Sequence, residues 1–597
     1  MILFGANRHF DLTNVPFSRA GAFLSVVENK DDHYLYLTHC RSEETALKRP
    51  YLMKISFSDL IGAELPFTYE ADEAMLSVKT SEGLAEFTYD GDQTLRIRVN
   101  GVKLRVSYEP EMHEGADIRS ADELEVGLNF IGKLLFKGIS GRFYTDARWN
   151  FREVRPFPFV VELSPNGAAP GEMAIHEYYS SGLPFSEYRP FADAAAETRA
   201  DFELFAKSYP PVPDIYAEAA RRCAWVVWML QMGPRGGIKS RTVFMHKTFL
   251  VRAFGWQQAY AAVAMANDAR RGWGLMLSIF DLQDERGGIP DNFADVNQEN
   301  WVSTKPPLFG YAVCYILDHY DTSSLTAEDI RAMYDRLKRY RNWWYVHHDH
   351  AKTGFPSYYH VDESGYDESS LFFAGLPLQS PDLMAYMVLL NEALSKLAAR
   401  MGDNEAAQAW DAESKRALSF IVDVLWDGEL FRAKVTSTGK LYKCGSAAHL
   451  QPVLLGARLP AAIVKKIRDR VLDETEFLTD YGITSENMKD PEFTTRSFTR
   501  GPVIAPVNMQ IISGLFDAGE TEAAMKLTRR YLNALLIYGP VLGDSSFRVD
   551  PAYGRLDARF DTNSIGAPMT AWAASVFLTL AARYNQAAAK TLCGTTL

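Results

Sequence analysis

From the N-terminus to about residue 205, apolar and polar positions alternate in short runs, as in Tyr34-Leu35-Tyr36-Leu37, Leu52-Met53-Lys54-Ile55, Leu95 to Val102 and Val160-Val161-Glu162-Leu163. A period of two turns one face of each run toward a core, which is strand geometry. Asp90-Gly91 and Asn100-Gly101 read as hairpin turns, because these pairs tolerate the positive φ that tight hairpins need. An antiparallel β-sandwich is therefore expected over residues 1–208. Tyr209-Pro210-Pro211-Val212-Pro213 breaks the pattern, and from Asp214 onward the apolar period becomes that of a helix. Helices are predicted near 214–232, 256–268, 271–284, 308–320, 326–346, 381–401, 404–426, 460–473, 503–517, 520–537 and 568–586, with a shorter one near 447–457. About twelve helices, joined alternately by short links and by long loops rich in Gly, Pro and aromatics, predict six helical hairpins closed into a ring. The fold class is thus mainly α, an (α/α)6 barrel over residues 209–597 behind the β-sandwich. No repeat of fixed period supports a solenoid. The long loops fall where inner helices begin, so they should gather at one mouth of the barrel.

Length and charge narrow the function. A chain of 597 residues exceeds a single simple core. The net charge of −12, with no long Lys/Arg run, disfavours nucleic acid and anionic membrane surfaces and suits a small neutral or cationic ligand. Met1 to Arg8 lack the basic-then-apolar order of a signal peptide, so a cytoplasmic location is expected. Five scattered cysteines, Cys40, Cys223, Cys314, Cys444 and Cys593, read as reduced thiols. The most apolar stretch, Met569 to Ala582, is too short for a bilayer span and reads as a buried helix.

The richest chemistry lies in Asp362-Glu363-Ser364-Gly365-Tyr366-Asp367-Glu368-Ser369-Ser370, where several carboxylates crowd a glycine just before a long helix opening at Pro381-Asp382, with Asp382 placed to cap it. Like charges beside aromatics can raise a carboxyl pKa, which a general acid requires. Three further loops combine aromatics with polar groups. One runs from Phe254 through Trp256 and Gln257. Another runs from Gly287 through Asp291, Glu299, Trp301 and Lys305. The third comprises Tyr481 to Glu486, Arg500 and the stretch containing Asp544 and Asp550. Flat apolar faces together with carboxylates and amides suit a sugar. His347-His348-Asp349-His350 has the look of a metal cluster, but its place at a helix end favours capping, and no metal or cofactor is expected. Gly287-Gly288 lacks the spacing of a dinucleotide loop, and no GxSxG elbow is present.

Glu363-Ser364-Gly365-Tyr366-Asp367-Glu368-Ser369 resembles the ESGWD-x-S signature shared by trehalases and glycoside hydrolase family 63, with Tyr366 in place of tryptophan. Lys305-Pro306-Pro307-Leu308-Phe309, Pro381-Asp382-Leu383, Thr484-Ser485-Glu486, Arg500-Gly501-Pro502 and Trp572 to Leu578 resemble further motifs of that family in the same order. The resemblance covers the helical part and implies an (α/α)6 barrel that hydrolyses an α-linked glycoside with inversion, acting from the chain end in the manner of an α-glucosidase. It assigns the general acid to Asp367. It also implies a pocket lined by Trp256, Gln257, Asp291, Trp301, Lys305, Glu363, Tyr366 and Arg500. Besides Tyr366, two positions depart from the family pattern: Gln257 stands where an aspartate is usual, and Phe547 stands where the general base is usual. Glu486, Asp544 and Asp550 are the candidates to replace that base. The expected partner is a small oligosaccharide or glycoside. Two other outcomes stay open at this level, a phosphorylase that uses Lys305, Arg500 and Arg548 to cradle phosphate, and a glycan-binding protein without catalysis.

Overall fold

A computed structural model describes residues 12–594 except 14, 42–47, 249, 297–298, 496, 538–548, 551–554 and 557–569. Two antiparallel sheets form the N-terminal part. The first orders its strands Leu24–Glu28, Leu35–His39, Met53–Ser58, Lys103–Tyr108, Phe159–Ser164 and Arg142–Thr145. The second runs Phe67–Ala71, Leu76–Thr80, Leu84–Tyr89, Thr94–Asn100, Gly171–Tyr178, Gly132–Ser140, Glu123–Leu128 and Gly115–Ser120. Their inward side chains, among them Phe87, Ile97, Leu104 and Val161, make one apolar core between the sheets.

Asp90-Gly91 does turn a hairpin, since Tyr89 pairs with Leu95 across it. Asn100-Gly101 does not. The strand before it belongs to the eight-stranded sheet and the strand after it to the six-stranded sheet, so this turn carries the chain across the sandwich. Gly101 has φ +76, and a Cβ there would lie 2.5 Å from the Glu82 carbonyl oxygen, so the residue requirement is the same although the connection differs. The strand pattern also ends earlier than expected, because Phe191–Ala206 is an α-helix. Phe191, Ala194, Ala195, Thr198, Phe202 and Phe205 form its buried stripe, which packs against Leu84–Tyr89 on one side and the helix Asp214–Met229 on the other.

Six inner elements form the barrel: Gly255–Ala264, Phe309–His319, Pro381–Arg400, Gln451–Arg458, Ala505–Asp517 and Ala571–Gly594. Each packs on the next, and the last packs back on the first. Every position of Gly255–Ala264 is buried, Gln257 and Gln258 included, as befits a helix enclosed on all sides. The fourth inner element is 3-10 rather than α, and it kinks at Gly456. Outer helices such as Ala327–His347 and Asn404–Phe420 show the narrower stripe of a surface helix. Capping differs in one place from expectation. Ser380 occupies the N-cap of Pro381–Arg400 and Pro381 the first turn, where its fixed φ is favoured, so Asp382 falls one position inside the helix.

The barrel axis is not purely apolar. The Gln510 side chain donates to Tyr260 Oη (2.7 Å) and accepts from Tyr386 Oη (2.8 Å), all buried. Gln451 donates in the same way to Tyr366 Oη. Cys40, Cys223 and Cys314 are buried free thiols, and among the described residues no helix is long and apolar enough to cross a membrane.

Candidate active site

The acidic segment is a chain of tight turns. Two 3-10 turns, Val361–Glu363 and Ser370–Ala374, flank Gly365, which has φ +68. A Cβ on Gly365 would stand 2.3 Å from the Trp256 indole, so glycine is what allows the loop to lie on that ring. The indole packs edge-on against Trp572 at 5.2 Å. Trp256 and the acidic loop therefore meet at the same mouth of the barrel.

Asp367 is open to solvent but set in a recess, on the wall of a cavity of about 500 Å³ shared with Val361, Glu368, Phe372, Phe373 and Arg500. Enclosure by these walls raises its pKa above the ordinary carboxylate value. Lys305 opposes the rise, while Asp362, Asp291 and Glu368 add to it. Lys305 is only 9% exposed and pairs with Asp291 at 2.9 Å. Its ammonium also donates to the Asp362 carbonyl at 3.2 Å. Burial works against the Lys305 charge, but Asp291 and Asp367 outweigh it and hold that pKa high. Asp291 is fixed in turn by donation from Ser303 Oγ (3.1 Å) and the Asn292 side-chain amide (2.5 Å).

Glu368 joins the acidic loop to the loop before Arg500. Its amide donates to Thr499 Oγ1 at 3.0 Å, and its carboxylate accepts from the Phe498 amide at 2.7 Å. Arg500 forms no ion pair among the described residues, and its Nε is buried without a hydrogen-bond partner. Glu363 turns inward. It meets His348 Nε2 at 2.7 Å and accepts from the Tyr359 and His360 amides at 2.8 and 3.2 Å. His348 is thereby spoken for by a carboxylate and by the rings of Trp343 and Trp344, each 4.5 Å away. Among the described residues no group of three or more His, Cys, Asp or Glu could hold a metal.

Gln257 is wholly buried. Its amide donates to the Phe244 carbonyl at 3.1 Å, and its Oε1 has no partner among the described residues. Tyr366 lies in the barrel axis on Gln451 rather than at the rim. Trp301, at 49% exposure, stands at the rim next to Asn300, which pairs with Asn292. Asp544 lies outside the described residues. Asp550 belongs to the short strand Val549–Asp550, paired with Arg555–Leu556, and its side chain lies outside the described residues. Asp382 accepts from Tyr358 Oη at 2.9 Å, and burial pushes its pKa up to about 6.

Glu486 is buried beneath the loop, where Ser370 Oγ donates to its Oε1 at 2.5 Å and its Oε2 has no partner among the described residues. Burial pushes its pKa up from 4.5 to about 8, with Asp490 adding to the rise and Ser370 and Arg500 opposing it. A carboxyl that keeps its proton to about pH 8 when folded, and releases it near pH 4.5 when unfolded, makes the folded state bind more protons between those values. Stability should therefore fall as pH rises through that window and level off above it. Glu486→Gln is expected to flatten the slope, which denaturant melts below, within and above the window would measure. A slope unchanged in the variant would clear Glu486 as its source.

Ser370, Ser446 and Thr499 carry much of this assembly but stand out little in the sequence. Ser369 Oγ lies 2.7 Å from Ser446 Oγ, and Ser446 pairs through its backbone with Glu486. Their only prior signal is membership of loops that precede inner helices.

Residues 252–539 match the family model described as the mannosylglycerate hydrolase MGH1-like glycoside hydrolase domain. Two mannosylglycerate hydrolases of Selaginella moellendorffii, MGH1 and MGH2, are each 22% identical over 467 residues, covering 63% of this chain and 91% of the relative. Among solved structures, a bacterial glucoamylase complexed with acarbose superposes with a TM-score of 0.59 at 10% identity, covering 97% of this chain and 95% of its own. That match spans both the sandwich and the barrel. A family 63 mannosylglycerate hydrolase of Thermus thermophilus in complex with Tris and D-glycerate gives a TM-score of 0.48 at 18% identity, covering 63% of this chain and 99% of its own.

Proposed function

We propose that this chain, whose residues 252–539 match the MGH1-like glycoside hydrolase domain, hydrolyses a small α-linked glycoside with inversion, and that the aglycone carries a carboxylate, as mannosylglycerate does. The observation that carries the reading is the pairing of Asp367, a carboxyl with a raised pKa, with Arg500, a cation without a counter-ion among the described residues, on the wall of one recess.

The bond that breaks joins the anomeric carbon to the glycosidic oxygen. Asp367 delivers its proton to that oxygen as the bond lengthens, and the neutral alcohol leaves. Water forms the new bond to the anomeric carbon from the opposite face, and a second carboxylate takes its proton. Inversion needs about 6.5–9.5 Å between the two carboxyls to leave room for that water. Lys305, paired with Asp291, acts on Asp367 through its charge, which lowers the Asp367 pKa. Arg500 is free to take the aglycone carboxylate by a forked, charge-assisted contact. Trp301, exposed at the rim, would offer an apolar face to the sugar, whereas Trp256 is covered by Gly365 and Trp572. The second carboxylate is assigned to Asp550, which belongs to the Asp-Pro sequence motif near which the family carries its base. Glu486, protonated to about pH 8 and cut off from solvent, is a positioning group under Ser370.

Phosphorolysis is the weaker alternative, because Lys305 has spent its charge on Asp291; Arg548, the third cation of that reading, lies outside the described residues. The deciding measurement is sugar release from mannosylglycerate, glucosylglycerate and a panel of neutral α-disaccharides, each with and without phosphate. Faster turnover of the glycerate conjugates without phosphate is expected. Preference for a neutral disaccharide would overturn the aglycone assignment, and strict dependence on phosphate would overturn hydrolysis.

A further inference from the structure

The loop that supplies Asp291 and Lys305 is not held by the barrel alone. Its first arm, Asn292–Phe293, pairs with Ala253–Phe254, and Asn300 returns to pair with Asn292. At the tip between these arms stands Asp295, whose carboxylate is fully buried. Arg41 Nε donates to Asp295 Oδ2 at 2.8 Å, and Tyr179 Oη donates to Oδ1 at 3.1 Å. The Arg41 guanidinium lies on the Tyr179 ring, 3.6 Å from its centre. Arg41 follows the strand Leu35–His39, and Tyr179 follows the strand Gly171–Tyr178, so both come from the sandwich. The barrel part adds the Gly237 amide, which donates to the Asp295 carbonyl at 2.7 Å and to its carboxylate at 3.2 Å. Room for this arrangement depends on Gly236, where a Cβ would lie 1.8 Å from Asp295 Oδ1.

We propose that Arg41 and Tyr179 of the sandwich are positioning residues for the reaction: through Asp295 they hold the loop that sets Asp291 and Lys305 against Asp367. A buried carboxylate is tolerated only with a countercharge and full hydrogen bonding, so the loop tip keeps this conformation only while the strand ends of the sandwich are docked on it. The anchor stands four residues from Asp291. Neither Arg41 nor Tyr179 falls within residues 252–539, the part that matches the glycoside hydrolase family model. The sandwich thus completes a site whose acid and cations all come from the barrel.

The consequence reads out at Asp367, which faces Lys305, Asp362, Asp291, Glu368 and, across the recess, Arg500. Among the charges that set its pKa, Lys305 is the one that lowers it. Asp291, which raises the Asp367 pKa, rides on the same loop, but Lys305 has the larger of the two opposed effects, so loosening the loop should raise the Asp367 pKa further. The alkaline limb of the pH–rate profile should then move to higher pH while kcat falls.

Arg41→Met alone leaves Asp295 buried without a countercharge and can unfold the protein, so it is paired with Arg41→Met/Asp295→Asn, in which no buried charge is stranded. Tyr179→Phe keeps the ring and removes one donor, and Arg41→Lys keeps the charge. The expected result in the folded double variant is a loss of kcat of about tenfold or more, with an alkaline limb shifted upward and partial recovery in Arg41→Lys. Because the inference rests on Asp367 as the acid, its carboxyl is also titrated directly by carbon-13 NMR in each variant. An Asp367 titration identical to wild type, accompanied only by a lower melting temperature, would reduce the anchor to a structural contact and overturn the proposal. A shifted titration that the rate profile does not follow would support the anchor and remove Asp367 from the acid role.

Discussion

Asp367→Asn is expected to leave the fold intact and to lower kcat on glycosides with poor leaving groups by about 10²–10⁴-fold, the usual contribution of general acid catalysis. Asparagine is close to isosteric, and Asp367 takes part in no ion pair within salt-bridge distance among the described residues, so no packing is lost. Activated substrates such as aryl glycosides should be spared in proportion to the acidity of the departing alcohol, because they need less protonation. The pH profile adds a second signature. A group whose pKa lies above the ordinary carboxylate value stays protonated further toward neutrality, so wild-type activity should fall as pH rises through that pKa. The variant should lose this limb. Near-wild-type rates on a poor leaving group in folded Asp367→Asn protein would exclude the residue from the chemistry.

Asp550→Asn is expected to stop turnover while preserving substrate affinity, since the base touches the attacking water rather than the sugar. Azide, which needs no deprotonation, should restore bond cleavage and yield a glycosyl azide of inverted configuration. The same substitution at Asp544 should have a small effect, and Glu486→Gln should change stability against pH more than it changes the rate. If Asp544→Asn shows the azide rescue instead, the base shifts to that residue. If Asp550→Asn, Asp544→Asn and Glu486→Gln all hydrolyse substrate at wild-type rates, the inverting scheme fails.

The inner helices were legible because they are buried all round, and in a run such as Gly255–Ala264 or Ala505–Asp517 the few polar residues are outnumbered by apolar ones. The sandwich was legible because its strands alternate. The helix Phe191–Ala206 was not, because its stripe of Phe and Ala is thin among charges and follows a long β region. Asn100-Gly101 gave the right backbone conformation but not the right connection, for a turn of that kind fixes only local dihedrals and says nothing about which sheet the next strand joins. In the site, the crowding of carboxylates around Gly365 singled out the loop, and the resemblance to the family signature pointed to Asp367 within it. The roles of Glu363 and Glu486 were hidden, because whether a carboxylate faces substrate or protein depends on His348 and Ser370, and Ser370 lies 116 residues from Glu486. Arg41 and Asp295, 254 residues apart, left no local trace of their contact.

The buried tyrosines and amides of the barrel axis bear on how this fold avoids its near neighbours. Six apolar inner elements could slide or rotate against one another by a residue with little change in buried area, since one aliphatic side chain packs much like another. The bonds from Gln510 to Tyr260 and Tyr386, and from Gln451 to Tyr366, exist in one alignment only. A shift by one residue would strand a phenol or an amide in a dry interior at a cost of about 1–3 kcal/mol for each group. The axis therefore acts as a lock on helix register, a source of conformational uniqueness more than of net stability, and because Tyr366 immediately precedes Asp367, that lock also sets how far the Asp367 carboxyl reaches into the mouth.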